Sequence, residues 1–62
     1  MFEYKKYYFV DTTIDPEDEG YEVILLATSV QEAWDVLEFN NERYIYVAGP
    51  AGEDDDWIWL VD

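Results

Sequence analysis

The groups able to do chemistry in this chain are almost all carboxylates. Sixteen Asp or Glu stand against three Lys or Arg in 62 residues, a net charge of −13. The acids are bunched. Asp11, Asp15, Glu17, Asp18, Glu19 and Glu22 fill one stretch, and Glu53, Asp54, Asp55 and Asp56 fill a second. Glu32, Asp35 and Glu38 add a third row. Paired carboxylates can serve as general acid and base, but only where burial moves one of them from its ordinary pKa. Acids this crowded, set among turn residues, are expected in water. No His is available as a base, and no Cys as a nucleophile, thiolate ligand or disulfide partner. The single serine, Ser29, is better placed to cap a helix than to attack a substrate. There is no Gly-rich phosphate loop, and a chain this short has little volume for a substrate pocket. No enzyme activity and no cofactor are expected.

Metal binding is weighed on two stretches. Asp15-x-Glu17-x-Glu19-Gly20 copies the start of an EF-hand loop. Its twelfth position is Leu26 where a bidentate Glu is required, and Pro16 interrupts it. Asp54-Asp55-Asp56 could hold a divalent ion only weakly at the surface. No metal site is expected.

Half the chain is apolar and 19% is aromatic, which separates it from disordered acidic chains. Residues 2–10 (Phe2 to Val10) predict a strand, and residues 11–20 predict a loop turned by Pro16 and Gly20. Residues 21–28 predict a second strand. Val23 to Ala27 is apolar on both parities, which suggests a central strand covered on both faces. Ser29-Val30-Gln31-Glu32 fits a capping box, so a helix of about eleven residues starts near residue 30. Val30, Ala33, Trp34 and Leu37 form its apolar stripe, and Asn40-Asn41 suits its left-handed closure. Arg43 to Ala48 predicts a third strand, Gly49-Pro50-Ala51-Gly52 a turn, and Trp57 to Val61 a fourth strand. The expectation is one α+β domain over residues 1–62, in ββαββ order. One helix would pack on a four-stranded, largely antiparallel sheet. If the second and third strands run parallel, the two acidic connections lie at opposite ends, roughly 20–23 Å apart. If they run antiparallel, both connections meet at one end.

That architecture leaves apolar surface over. A four-stranded sheet presents about 400 Å² of projected area per face. A helix of this length shields about 160 Å² of it. Ten of the twelve aromatics nevertheless fall on predicted strands. An interface on the sheet is therefore expected, with a partner or a second copy, carried by Trp57, Trp59, Tyr44 and Tyr46. Trp57 and Trp59 share a parity after the triple aspartate. They suit an aromatic centre beside a steering charge, or equally a place under the helix with Ile58 and Leu60 outward.

The charge points to the partner. A magnitude of about 2–8 normally suffices for the solubility of a small domain. An excess beyond that raises the energy of the compact state through self-repulsion. Proteins that bind nucleic acid present basic grooves, and carboxylates pair with Arg in the bidentate manner of phosphates. The expected partner is a basic nucleic-acid-binding protein of a bacterial host cell, met in the cytoplasm. Nucleic acid and anionic membranes are expected to repel the chain, and no apolar run approaches a membrane span. Salt adaptation and an ordinary solvated acidic surface stand as alternatives. In size, charge and β-rich build the chain resembles small acidic inhibitors made by phages and mobile elements. Their targets are CRISPR nucleases, restriction enzymes and uracil-DNA glycosylase. The resemblance covers no specific motif. It implies a DNA-mimic inhibitor, with a homodimeric adaptor or an immunity protein masking a basic toxin as alternatives.

Overall fold

The computed structural model describes residues 3–52 and 57–60. They form β1 (Lys5–Asp11), β2 (Glu22–Ala27), α1 (Val30–Val36) and β3 (Tyr44–Ala51). A single 3-10 turn over Glu19–Tyr21 leads into β2. This is a small α+β domain with one helix and a three-stranded antiparallel sheet in the order β2-β1-β3.

β1 is the central strand, and its burial alternates between the two faces. Tyr7, Phe9 and Asp11 all point to one face and are buried. Directly opposed residues of neighbouring strands share a face. Leu25 and Val23, opposite Tyr7 and Phe9, therefore join this face from β2. Tyr46 and Tyr44, opposite Phe9 and Asp11, join it from β3. Val30, Ala33, Trp34 and Leu37 close over it, as their helical spacing predicts. Phe9 is 0% exposed, with the Trp34 ring edge-on at 4.8 Å and Tyr46 tilted at 5.2 Å.

Four expectations are corrected. Three strands form among the described residues, not four, and the ββαββ order is not confirmed; Val61 of the expected fourth strand lies outside those residues. Residues 57–60 meet β3 through one bridge, Ala48 to Trp59. The Gly49 N–H donates to the Ile58 carbonyl at 3.1 Å, and the Leu60 N–H to the Val47 carbonyl at 2.9 Å. On its other side, the pairing of β3 with β1 slips twice, between Lys6 and Tyr8 and between Tyr8 and Phe9. Second, Gly49-Pro50-Ala51 continues β3 instead of turning. Gly49 makes this possible with a φ of 140°, at a point where a Cβ would meet a Tyr7 ring carbon at 3.0 Å.

Third, β2 is an edge strand and not a central one. The chain pairs it on one side of β1, and the α1 crossover carries β3 to the other side. Its two apolar parities have different fates. Val23, Leu25 and Ala27 lie under α1, whereas Ile24 and Leu26 stay exposed.

Fourth, α1 is short. Ser29 caps it as expected, its Oγ accepting from the Glu32 N–H at 3.1 Å. The Glu32 carboxylate reaches back to the N–H and hydroxyl of Thr28. The helix then closes at Leu37, before Asn40-Asn41. Glu38 and Phe39 take the left-handed conformation, with φ of 58° and 53°. The Phe39 N–H donates to the Trp34 carbonyl at 2.8 Å and the Glu38 N–H to the Asp35 carbonyl at 3.0 Å. That is a Schellman closure without its usual glycine. Early closure leaves the Asn40 carbonyl free to accept from Arg43 and Tyr44, which turns the chain into β3.

Two outcomes are expected. Glu38→Gly relieves the left-handed strain and raises stability by about 0.5–1 kcal/mol, read as a higher Tm; a lower Tm would contradict this closure. Phe9→Ala removes about 3–5 kcal/mol, comparable with all that so small a core supplies. Circular dichroism should then show an unfolded chain at room temperature.

Candidate interaction surface

The connection over residues 12–21 leaves β1 at Asp11 and enters β2 at Glu22, at one end of the sheet. Asp15, Glu17, Asp18, Glu19 and Glu22 are all exposed there. Asp15 shapes the connection, its Oδ1 accepting from the Glu17 N–H at 3.1 Å and its carbonyl from the Asp18 N–H at 2.8 Å. Lys5 and Lys6 begin β1 at the other end, opposite Ala27 and Leu26, roughly 20 Å away along the strand. β2 and β3 both run antiparallel to β1 and so parallel to each other. β3 accordingly ends at Ala51 beside Lys6, at the end away from the first acidic connection. Glu53, Asp54, Asp55 and Asp56 lie outside the described residues.

Asp11 does not belong to the exposed set. It is only 3% exposed, and its carboxylate is fully engaged. The Arg43 Nε and a terminal nitrogen donate to it at 3.2 and 3.0 Å, as a fork. The Thr13 N–H and hydroxyl donate at 2.9 and 2.6 Å. The Arg43 guanidinium, then the Thr13 hydroxyl, hold the Asp11 carboxyl well below the usual carboxylate range, at about 2. Arg43 also lies over the Tyr44 ring at 5.2 Å. The sequence suggests only that Arg43 relieves repulsion from adjacent acids. The fold instead spends it on one residue far away in the chain. The Thr12 hydroxyl and N–H, both donating to the Arg43 carbonyl at 2.8 Å, tie the same two segments together.

The aromatic residues expected to share one patch are divided between two faces. Tyr44 and Tyr46 are half-buried against the core beneath α1. Trp57 and Trp59 lie on the opposite face with Tyr8, whose ring meets theirs at 6.0 and 5.8 Å. Trp59 is 60% exposed, so the placement of this pair under the helix is overturned. The Tyr8 phenol is held above its ordinary pKa first by burial and then by the neighbouring charge of Glu22, and stays neutral. The same bare face carries Ile24 at 52% exposure, Leu26 at 66% and Ile45 at 50%. Sequence reasoning did not assign these aliphatic residues to a surface. The signal was present in the doubly apolar run Val23–Ala27, which reads equally as a strand buried on both faces.

Among the described residues no group of three or more His, Cys, Asp or Glu is placed to hold a metal ion. None of the described helices is long and apolar enough to cross a membrane.

The Asp11 pairing sets a pH dependence of known sign. A folded pKa near 2 lies below that of an unfolded Asp, about 3.9. Its stabilisation is complete above about pH 4 and is lost as pH falls through about 2. On acidification the Asp11 contribution to the Tm should therefore persist down to about pH 4 and be lost below it. Asp11→Asn should lower the Tm at neutral pH and flatten the acid limb. An unchanged limb in that variant would assign the acid sensitivity to another group.

The chain matches no protein-family model, no curated protein and no solved structure, so its surface chemistry alone carries the functional reading.

Proposed function

We propose that this chain is a non-catalytic inhibitor that occupies the nucleic-acid-binding groove of a basic protein in place of DNA or RNA. The observation that carries this reading is the segregation of charge. From Thr12 to Glu42 the chain holds nine carboxylates and not one Lys or Arg. That stretch comprises the first connection, β2 and α1. Lys5 and Lys6 lie at the end of the sheet away from the first connection, beside the end of β2, and Arg43 is engaged with Asp11.

The physics of such an inhibitor is direct. Exposed carboxylates at Asp15, Glu17, Asp18, Glu19 and Glu22 substitute for phosphates. They accept bidentate hydrogen bonds from Arg and draw the basic groove toward the chain. Glu53, Asp54, Asp55 and Asp56 extend the same anionic character in the sequence. The target class is a bacterial CRISPR nuclease, restriction enzyme or DNA-repair glycosylase. An immunity protein masking a basic toxin would use the same physics. The bare face of Ile24, Leu26, Ile45 and Trp59 favours a second reading, an adaptor that dimerises through its sheet, in which the acids only maintain solubility.

The test is capture from bacterial lysate on the immobilised chain, followed by elution with duplex DNA. A basic DNA-binding protein that duplex DNA displaces is the expected result. With the purified partner, the variant Asp15→Asn/Glu17→Gln/Asp18→Asn/Glu19→Gln should associate about tenfold or more slowly. Its Tm should remain equal or rise. Equal association rates, or a partner that DNA fails to displace, would overturn the proposal. A dimer mass in light scattering, with no such partner captured, would favour the adaptor.

A further inference from the structure

The two edges of the sheet are not equivalent. The outer edge of β3 is occupied by residues 57–60, through the Gly49–Ile58 and Leu60–Val47 hydrogen bonds. The outer edge of β2 has no such cover among the described residues: β2 ends the sheet, and its only strand partner is β1. An uncovered edge presents a row of backbone donors and acceptors ready to pair with another extended chain. Proteins usually blunt such edges with Lys, Pro or a bulge. β2 has neither Lys nor Pro, and its pairing with β1 runs without a slip from Lys5↔Ala27 to Val10↔Glu22. Exposed Ile24 and Leu26 flank this edge on the bare face, two residues apart and so on one side of the strand.

The charge around the edge bears on its occupant. β2 opens at Glu22, on the face of Ile24 and Leu26 and after the exposed Asp18 and Glu19. Lys5 and Lys6 of β1 lie opposite Ala27 and Leu26 at its other end, and α1, packed on the opposite face, carries the exposed Glu32 and Asp35. A second copy of this chain would bring another net charge of −13 to the same edge. We infer that β2 accepts an added strand from a cationic partner: an extended segment with alternating apolar residues, which cover Ile24 and Leu26, and Lys or Arg on the other parity. Backbone pairing supplies the register and the apolar positions supply specificity, as in other strand-addition complexes. The inference rests on the proposed reading that the partner is cationic, and adds how that partner is held. It also implies that contact is not made by charge alone.

The probe is an acetylated, amidated heptapeptide of alternating Lys and Val, read by backbone amide exchange and chemical shifts on the intact chain. Binding should slow exchange of β2 amides about tenfold or more at saturating peptide. It should also weaken between about 50 mM and 200 mM salt, since exposed charges are screened. A peptide of equal charge with Gly for Val, and one methylated on alternate backbone nitrogens, should both fail to protect β2. Ile24→Thr/Leu26→Thr, which keeps strand propensity, should weaken the Lys-Val peptide about tenfold. Equal binding by the Gly peptide, protection confined to β3, or self-association through β2 without peptide would each overturn the inference. The outcomes stay separable from the inhibitor reading. A DNA-displaceable partner captured by a chain whose β2 ignores the peptide sinks strand addition alone. Peptide protection of β2 without any DNA-displaceable partner sinks the inhibitor alone.

Discussion

Phe9 is the side chain on which this small body is built. It sits in the middle strand, fully buried, with Trp34 of the helix edge-on above it and Tyr46 of β3 beside it. Those contacts join the central strand, the crossover helix and the far strand at one point. The rest of the buried apolar set among the described residues is made of small or aromatic residues: Tyr7, Ala27, Ala33, Ala48 and Ala51. Ala27 and Ala33 let the helix lie close to the sheet, so that a seven-residue helix can reach Phe9 at all. A helix that short covers one face only in part, and the opposite face keeps its aliphatic residues in water.

Against this small core stands a large electrostatic cost. A net charge of −13 on 62 residues repels itself, and little cationic charge is available to offset it. The fold uses Arg43 where one cation does most, on the buried Asp11. That carboxylate also receives two hydrogen bonds from Thr13, so it is satisfied on every side. The network ties the end of the central strand to the first connection and to the start of β3. It holds the acidic connection on a fixed base while its remaining carboxylates stay in water.

Charge and apolar surface adjoin on one small body, meeting at Glu22 beside Tyr8. The acidic end and the helix carry the carboxylates, while the bare face carries Tyr8, Ile24, Leu26, Ile45 and the Trp57–Trp59 pair. Steering by charge and retention by apolar contact are separate physical tasks, one acting on association and the other on dissociation.

Local signals in the sequence were sufficient for several short-range features, though not for the end of the helix or for the Gly49-Pro50-Ala51 stretch, which continues a strand. The capping serine, the apolar stripe from Val30 to Leu37 and the strand formed by the aromatic-rich first segment all follow from residue types and spacing within a few residues. So does the acidic, exposed character of the first connection. What the tertiary structure alone decided is which segments become neighbours. The doubly apolar run Val23–Ala27 looks the same whether a second layer covers it or water does, because periodicity records neither layer count nor strand order. Arg43 and Asp11 meet across a separation of 32 residues that no local pattern encodes. Tyr46 and Trp59 carry comparable aromatic signals, yet one faces Phe9 and the other faces solvent. Parity assigns a residue to one of two faces, and only the position of the helix decides which face is the inside.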